Sequence, residues 1–151
     1  MGPRFAILFL SGISKFNVSA LFTDNILKGN FLEWEILPAE GFEARFKRFQ
    51  KRYSLESQAM LSNLKTYLRA IREGAHPQYF KAGFIHAEQK GVKAIDQKGA
   101  ENKKPAQTRL YVFPEEGTKT LHLITVGDKS DQSADVNTAS DFVKKLMRNV
   151  Q

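Results

Sequence analysis

The chain has 151 residues, enough for one domain with a sizeable core, and its 42% hydrophobic and 26% charged content is that of a globular protein. It contains no cysteine, which excludes disulfides, thiolate zinc sites and cysteine nucleophiles. Lysine and arginine number 23 against 16 acids, a net charge of +7 that favours polyanionic partners: nucleic acid, an anionic membrane surface or an acidic protein.

The first apolar run, Arg4 to Leu10, is too short to span a bilayer. Val18-Ser19-Ala20 would pass as a leader cleavage site, but Lys15 and Phe16 interrupt the approach to it. The run reads as an added strand, a docked arm or an overlong translation start ahead of a secretory leader. Residues 1–30 are therefore an extension of uncertain role, and residues 31–151 are the expected domain.

Phe31 to Leu37 (FLEWEIL) alternates apolar and acidic residues at its centre, which suits a half-buried strand stopped by Pro38. Phe42, Phe46, Phe49 and Tyr53 then recur at helical spacing, with Arg45, Lys47, Arg48, Lys51 and Arg52 between them. This predicts an amphipathic helix with an aromatic stripe and a basic face. A solvated helix face explains that charge cluster as well as a binding surface does. Ser54 is the expected N-cap of a second helix through Arg72, with Met60, Leu64, Leu68 and Ile71 on its buried stripe. Gly74 and Pro77 end it.

Short strands are expected at Phe84 to Gln89 and Val92 to Gln97, with Lys90-Gly91 as a tight turn. Gly99 to Gln107 is a polar loop, and Lys90, Lys93, Lys98, Lys103 and Lys104 form a second basic region around it. Thr108 to Phe113 reads as a strand and PEEGTK as a turn, with Pro114 stopping the pairing and Gly117 supplying a positive φ. Leu121 to Val126 is nearly all apolar, as in a central strand covered on both faces. Gly127, Asp128 and Lys129 should then break the ladder. Ala139, Phe142, Val143, Leu146, Met147 and Val150 predict a terminal helix, capped by Ser133 or Asp135. This order predicts an α+β fold with helices packed on one side of a mostly antiparallel sheet of four or more strands.

Several chemistries are not encoded. No P-loop, no GxGxxG after a strand, no GxSxG and no HExxH occurs, which excludes the corresponding nucleotide-cofactor enzymes, serine hydrolases and zincins. His122 inside an apolar strand reads as a satisfied core histidine, and His76 beside Pro77 as a loop residue. His86 and Glu88 on a predicted strand could serve as base or acid, or be half-exposed strand residues. Tyr79 and Tyr111 read as packing residues, although Tyr79 could stack on a base.

FLEWEILP, a helical hairpin ending in REG, TRLYVF and LHLITVGDK together resemble the RelE superfamily of bacterial toxins. The resemblance covers roughly Phe31 to Val150. It implies a RelE-like toxin of a type II toxin-antitoxin system: a cytoplasmic endoribonuclease that cuts mRNA, often on the ribosome, and is neutralised by an antitoxin protein. A ribose 2′-hydroxyl would attack the adjacent phosphate, with no metal or other cofactor required and no membrane involved. By the same resemblance Arg109 would clamp the scissile phosphate through two oxygens. Lys129 would stand where relatives place a basic residue after the last strand, and Lys93 and Lys98 where some carry catalytic cations. Lys90, Lys103, Lys104, Arg48 and Lys51 would contact RNA. The chain departs from the family in lacking a tyrosine or histidine after Asp128. Two alternatives stand beside this reading: a fold relative that binds without cleaving, and an unrelated basic module for nucleic acid or protein.

Overall fold

The computed structural model describes residues 34–150. The Arg4 to Leu10 run and the start of the strand expected from Phe31 lie outside them. Strand β1 (Glu35–Pro38) enters the molecule, and a turn through Gly41, at φ 83°, starts helix α1 (Phe42–Arg52). Phe42, Phe46 and Phe49 are buried, with ring centroids 5.7 and 5.9 Å apart, while Lys47, Arg48, Lys51 and Arg52 are exposed. The aromatic stripe and basic face thus stand as the spacing required.

Tyr53 alone separates α1 from helix α2 (Ser54–Arg72). Ser54, expected as the N-cap, is instead the first helical residue, and no side chain caps this end. Met60, Leu64, Tyr67, Leu68 and Ile71 are buried. Gly74, at φ 108°, ends α2, and the Ala75 amide returns to the Ala70 carbonyl at 2.9 Å.

Strands β2 (Ile85–Ala87) and β3 (Lys93–Asp96) form an antiparallel hairpin. Its turn places Lys90 and Gly91 in succession at φ 58° and 82°, the backbone handedness that lets twisted strands meet tightly. Strands β4 (Thr108–Glu115) and β5 (Thr120–Asp128) are longer than expected. Pro114 does not stop the pairing: it lies opposite Leu121. Strand β3 reaches β4 only as far as Val112, so Pro114 has one paired neighbour, and a missing N–H is tolerated there. In the turn, Lys119 rather than Gly117 takes the positive φ, at 55°. Gly127 and Asp128 stay in the ladder, opposite Arg109 and Thr108.

The sheet has five strands in the order β1-β5-β4-β3-β2. It is mixed, with β1 parallel to β5 and the other pairs antiparallel. Helix α3 (Gln132–Val150) completes the fold. The helices do not share one side, which corrects the expectation. Residues from α1 and α2 form one core with Ile95, Leu110, Val112, Leu121, Leu123 and Val126. Ala139 and Val143 of α3 form a second with Val92, Ala94, Tyr111, Phe113 and Ile124. The physical reason is the apolar run of β5, both of whose faces need cover. A bulge at Ile124 lets Tyr111 pair with Thr125 while Val112 pairs with Leu123.

Candidate active site

Alternation along the strands assigns each candidate side chain to a face. Ile95 and Leu110 belong to the α1/α2 core, whereas Ala94 and Tyr111 belong to the α3 core. His86 pairs with Ala94, and Asp96 with Arg109, so all three project on the α3 side. His86 Nε2 lies 2.7 Å from Asp96 Oδ2. Asp96 Oδ1 accepts the Lys98 amide at 2.8 Å, which fixes the carboxylate from its other end. Arg109 Nη1 is 3.7 Å from Glu88 Oε2, just beyond β2. The His86, Asp96, Arg109 and Glu88 side chains are 36%, 16%, 28% and 19% exposed, enough for a ligand to reach them.

A carboxylate on one ring nitrogen orients an imidazole and leaves Nδ1 as the other nitrogen to exchange a proton. A guanidinium nearby matches the paired oxygens of a phosphate. Next along β4 on this face, Tyr111 is buried, and its hydroxyl has no hydrogen-bond partner among the described residues. Burial, with the charges of Asp135 and Glu88, pushes that hydroxyl up to about 12.

Arg109 and Lys129 lie at the same end of neighbouring strands. Arg109 pairs with Gly127 and Thr108 with Asp128, and Lys129 follows at once in a short 3-10 turn. Asp128 builds that turn. It accepts from Ser130 Oγ at 2.6 Å, Tyr53 Oη at 2.6 Å and the Ser130 amide at 2.9 Å, and these bonds hold its carboxyl down at about 2. Lys129 itself is exposed.

The remaining cations do not join this group. Lys93 sits on the α1/α2 side, opposite Val112, buried, with its Nζ donating to the Gln78 carbonyl at 3.0 Å. Burial pushes its amine down. Lys98 is exposed beside α2, in a groove with Leu55, Ser62 and Asn63. Lys103 and Lys104 lie exposed on a loop anchored by Glu56, whose Oε2 accepts Asn102 Nδ2 at 2.9 Å and the Ala106 amide at 2.7 Å. Lys90 is exposed at the β2–β3 turn, and Arg48 and Lys51 are exposed on α1, across the sheet from His86.

Asp96 is the member of the group that sequence reasoning missed. The period-two series Val92, Ala94, Asp96, folded back through Lys90-Gly91 onto His86 and Glu88, carried the signal. Among the described residues no cluster of three or more histidine, aspartate or glutamate side chains is arranged to hold a metal ion, and no helix is long and apolar enough to cross a membrane. No family model, curated protein or solved structure matches this chain.

Proposed function

We propose that the protein is a RelE-like toxin that cleaves mRNA without a metal ion. One observation carries the reading: β3–β4 register sets Arg109 beside Asp96, which in turn holds His86 at 2.7 Å on the same open face. The observed order of elements, one strand, two helices, four strands and a helix, supports it as well.

In this scheme His86 takes the proton of the ribose 2′-hydroxyl as its oxygen attacks the neighbouring phosphorus. Arg109 bridges two phosphate oxygens while negative charge grows on them, and Lys129 adds a second cation from the adjoining turn. The departing 5′ oxygen takes its proton from solvent water, while the Glu88 carboxylate beside Arg109 helps hold the guanidinium in place. The products are a 2′,3′-cyclic phosphate and a 5′-hydroxyl. An acidic antitoxin segment that folds on the basic surface would block RNA and neutralise charge together. Action on ribosome-bound mRNA would place the protein in the cytoplasm.

The test is purified protein incubated with labelled RNA, with and without ribosomes, in excess chelator. Cyclic phosphate ends that vanish in His86→Ala and Arg109→Ala support the reading. Uncut RNA under every condition removes it. A second reading, binding without cleavage, draws on a specific observation: His86 and Arg109 are already engaged by Asp96 and Glu88. It predicts RNA retention with intact RNA ends.

A further inference from the structure

Between α2 and β2 the chain makes a closely anchored turn. Pro77 is buried and its carbonyl accepts Tyr67 Oη at 2.8 Å, while the Phe80 ring packs 5.6 Å from that of Tyr67. Gln78 is tied twice, by its Nε2 to the Gly91 carbonyl at 2.9 Å and by its own carbonyl to Lys93 Nζ at 3.0 Å. His76 Nδ1 accepts the Gln78 amide at 3.1 Å, and its Nε2 lies 3.6 Å from Glu116 Oε1. Tyr79 is left outside, 75% exposed, its ring stacked on His76 at 4.3 Å and 24°. No other large hydrophobic side chain among the described residues is more than 39% exposed. One face of the phenol is covered and the other open to water. Its backbone is fixed on folding, so a second flat ring can settle there with little further ordering.

The surroundings select the ligand. Gly91, held by Gln78, abuts Phe113: a Cβ on this glycine would stand 3.2 Å from both Gln78 Nε2 and the Phe113 ring. Phe113 in turn lines a groove of about 700 Å³ with Lys90, Asp141, Val143, Lys144, Met147 and Arg148. Three cations face one acid there, over an apolar floor. Phe113 also follows Tyr111 and Arg109 on the same strand and sheet face, roughly 13 Å beyond Arg109 at the rise of a β-strand. Through Lys90 and Phe113 the groove adjoins the Gly91 and Gln78 turn that carries the exposed ring, at the end of β4 away from Arg109. Alternating flat faces and anionic links are the properties of a single nucleic-acid strand, for which stacking rings among cations are the standard receptor.

We propose that His76 and Tyr79 form a base-stacking platform and that Lys90, Lys144 and Arg148 guide the RNA segment flanking the scissile phosphate onto it. The proposal rests on the RNA-cleaving reading and adds a subsite to it. The experiment measures binding of a fluorescent, uncleavable 2′-O-methyl oligonucleotide to full-length protein, and cleavage of the all-ribose strand beside it, with and without ribosomes. Tyr79→Ala weakens binding about tenfold, the loss of one stacked base, with an unchanged melting temperature. Tyr79→Phe binds within about twofold of the parent, since the ring and not the hydroxyl is used. Lys144→Ala with Arg148→Ala weakens binding and flattens its salt dependence. If the parent cleaves RNA and Tyr79→Ala binds the oligonucleotide as tightly as the parent, the platform is overturned and the nuclease reading stands; a peptide-docking surface predicts that outcome. If the parent binds with Tyr79 dependence but cleaves nothing, the platform is supported and the nuclease reading falls. Neither binding nor cleavage by the parent overturns both.

Discussion

Arg45 of α1 reaches past the edge of β5 to Asp135 of α3, with Nη2 3.1 Å from Oδ1. The same guanidinium donates from Nε to the Val126 carbonyl at 2.6 Å. Strand β1 covers β5 only from Thr120 to Leu123, so Arg45 occupies the open edge beyond it and joins the helical layers on the two sheet faces. Asp135 has only 5% of its side chain exposed. Burial pushes its carboxyl up to about 6, and Arg45 and the Thr125 hydroxyl offset this only in part.

A pH dependence follows from that aspartate. Its folded value lies above its unfolded value, so between about pH 4 and 6 the native state holds a proton that the unfolded state releases. Stability from this group is full below pH 4 and falls as pH rises through 6, by at most roughly 3 kcal/mol at 1.4 kcal/mol per unit. Asp135→Asn should remove that decline while keeping the Arg45 bond. Urea titrations of parent and variant at pH 4, 5, 6 and 7 measure the difference, and parallel curves would show that Asp135 is not the group responsible.

Gly127→Ala should be severely destabilising although glycine lies in a strand with ordinary backbone angles. An added Cβ would overlap Asp135 Oδ2 and stand 3.0 Å from Asp131 Cβ. Two acids of the α3 entry would have to move, at about 3 kcal/mol, the upper range for overpacking. A melting temperature within a degree or two of the parent would refute this.

Glu56→Ala should loosen the Gln97–Thr108 connection. Burial pushes the Glu56 carboxyl up, but hydrogen bonds from the Ala106 amide and Asn102 outweigh it and hold the group below its usual range. Its stabilisation is present above the unfolded value and is lost as pH falls through the folded one. Losing the carboxylate orphans the Ala106 amide and costs about 2 kcal/mol. Hydrogen exchange at Ala106 should quicken well before exchange in α2, and equal protection at Ala106 in parent and variant would contradict the assignment.

Arg109→Ala should lower RNA cleavage a hundredfold or more, the usual loss when one contact to developing charge is removed. The Arg109 to Glu88 pair is 3.7 Å long and partly exposed, so its loss should cost under about 1 kcal/mol of stability. Arg109→Lys should recover only part of the rate, because a point charge lacks the two-pronged contact. Cleavage and melting temperature measured on one preparation decide the matter. Undiminished cleavage by a folded Arg109→Ala protein would exclude the proposed role.

Patterns with a short period were legible in the sequence. Phe42, Phe46 and Phe49, the Met60 to Ile71 stripe, and the Lys90-Gly91 turn all stand where spacing placed them. Relationships between distant segments were not. The Arg45 to Asp135 pair joins residues whose own neighbourhoods explain each as a helix-surface charge. Pro114 misled because its effect depends on whether a third strand lies alongside, and β3 ends before reaching it. For the site, His86, Glu88 and Arg109 were visible as residue types, whereas Asp96 required the hairpin register. Lys93 looked like a rim cation only until the alternation of β3 turned it toward Gln78.

The parallel pairing of Glu35 with Thr120 has a bearing on how the protein comes into being. A chain leaving the ribosome N-terminus first must carry β1 without its partner until β5 has emerged, and the two-faced core of that central strand cannot assemble sooner. Contacts this remote in sequence slow folding and make it late. Arg109 lies on β4, just ahead of β5, and Lys129 and α3 follow β5 directly. A growing chain therefore cannot join β1 to the sheet, or cover both faces of β5, until β5 and the helix that follows it have been made.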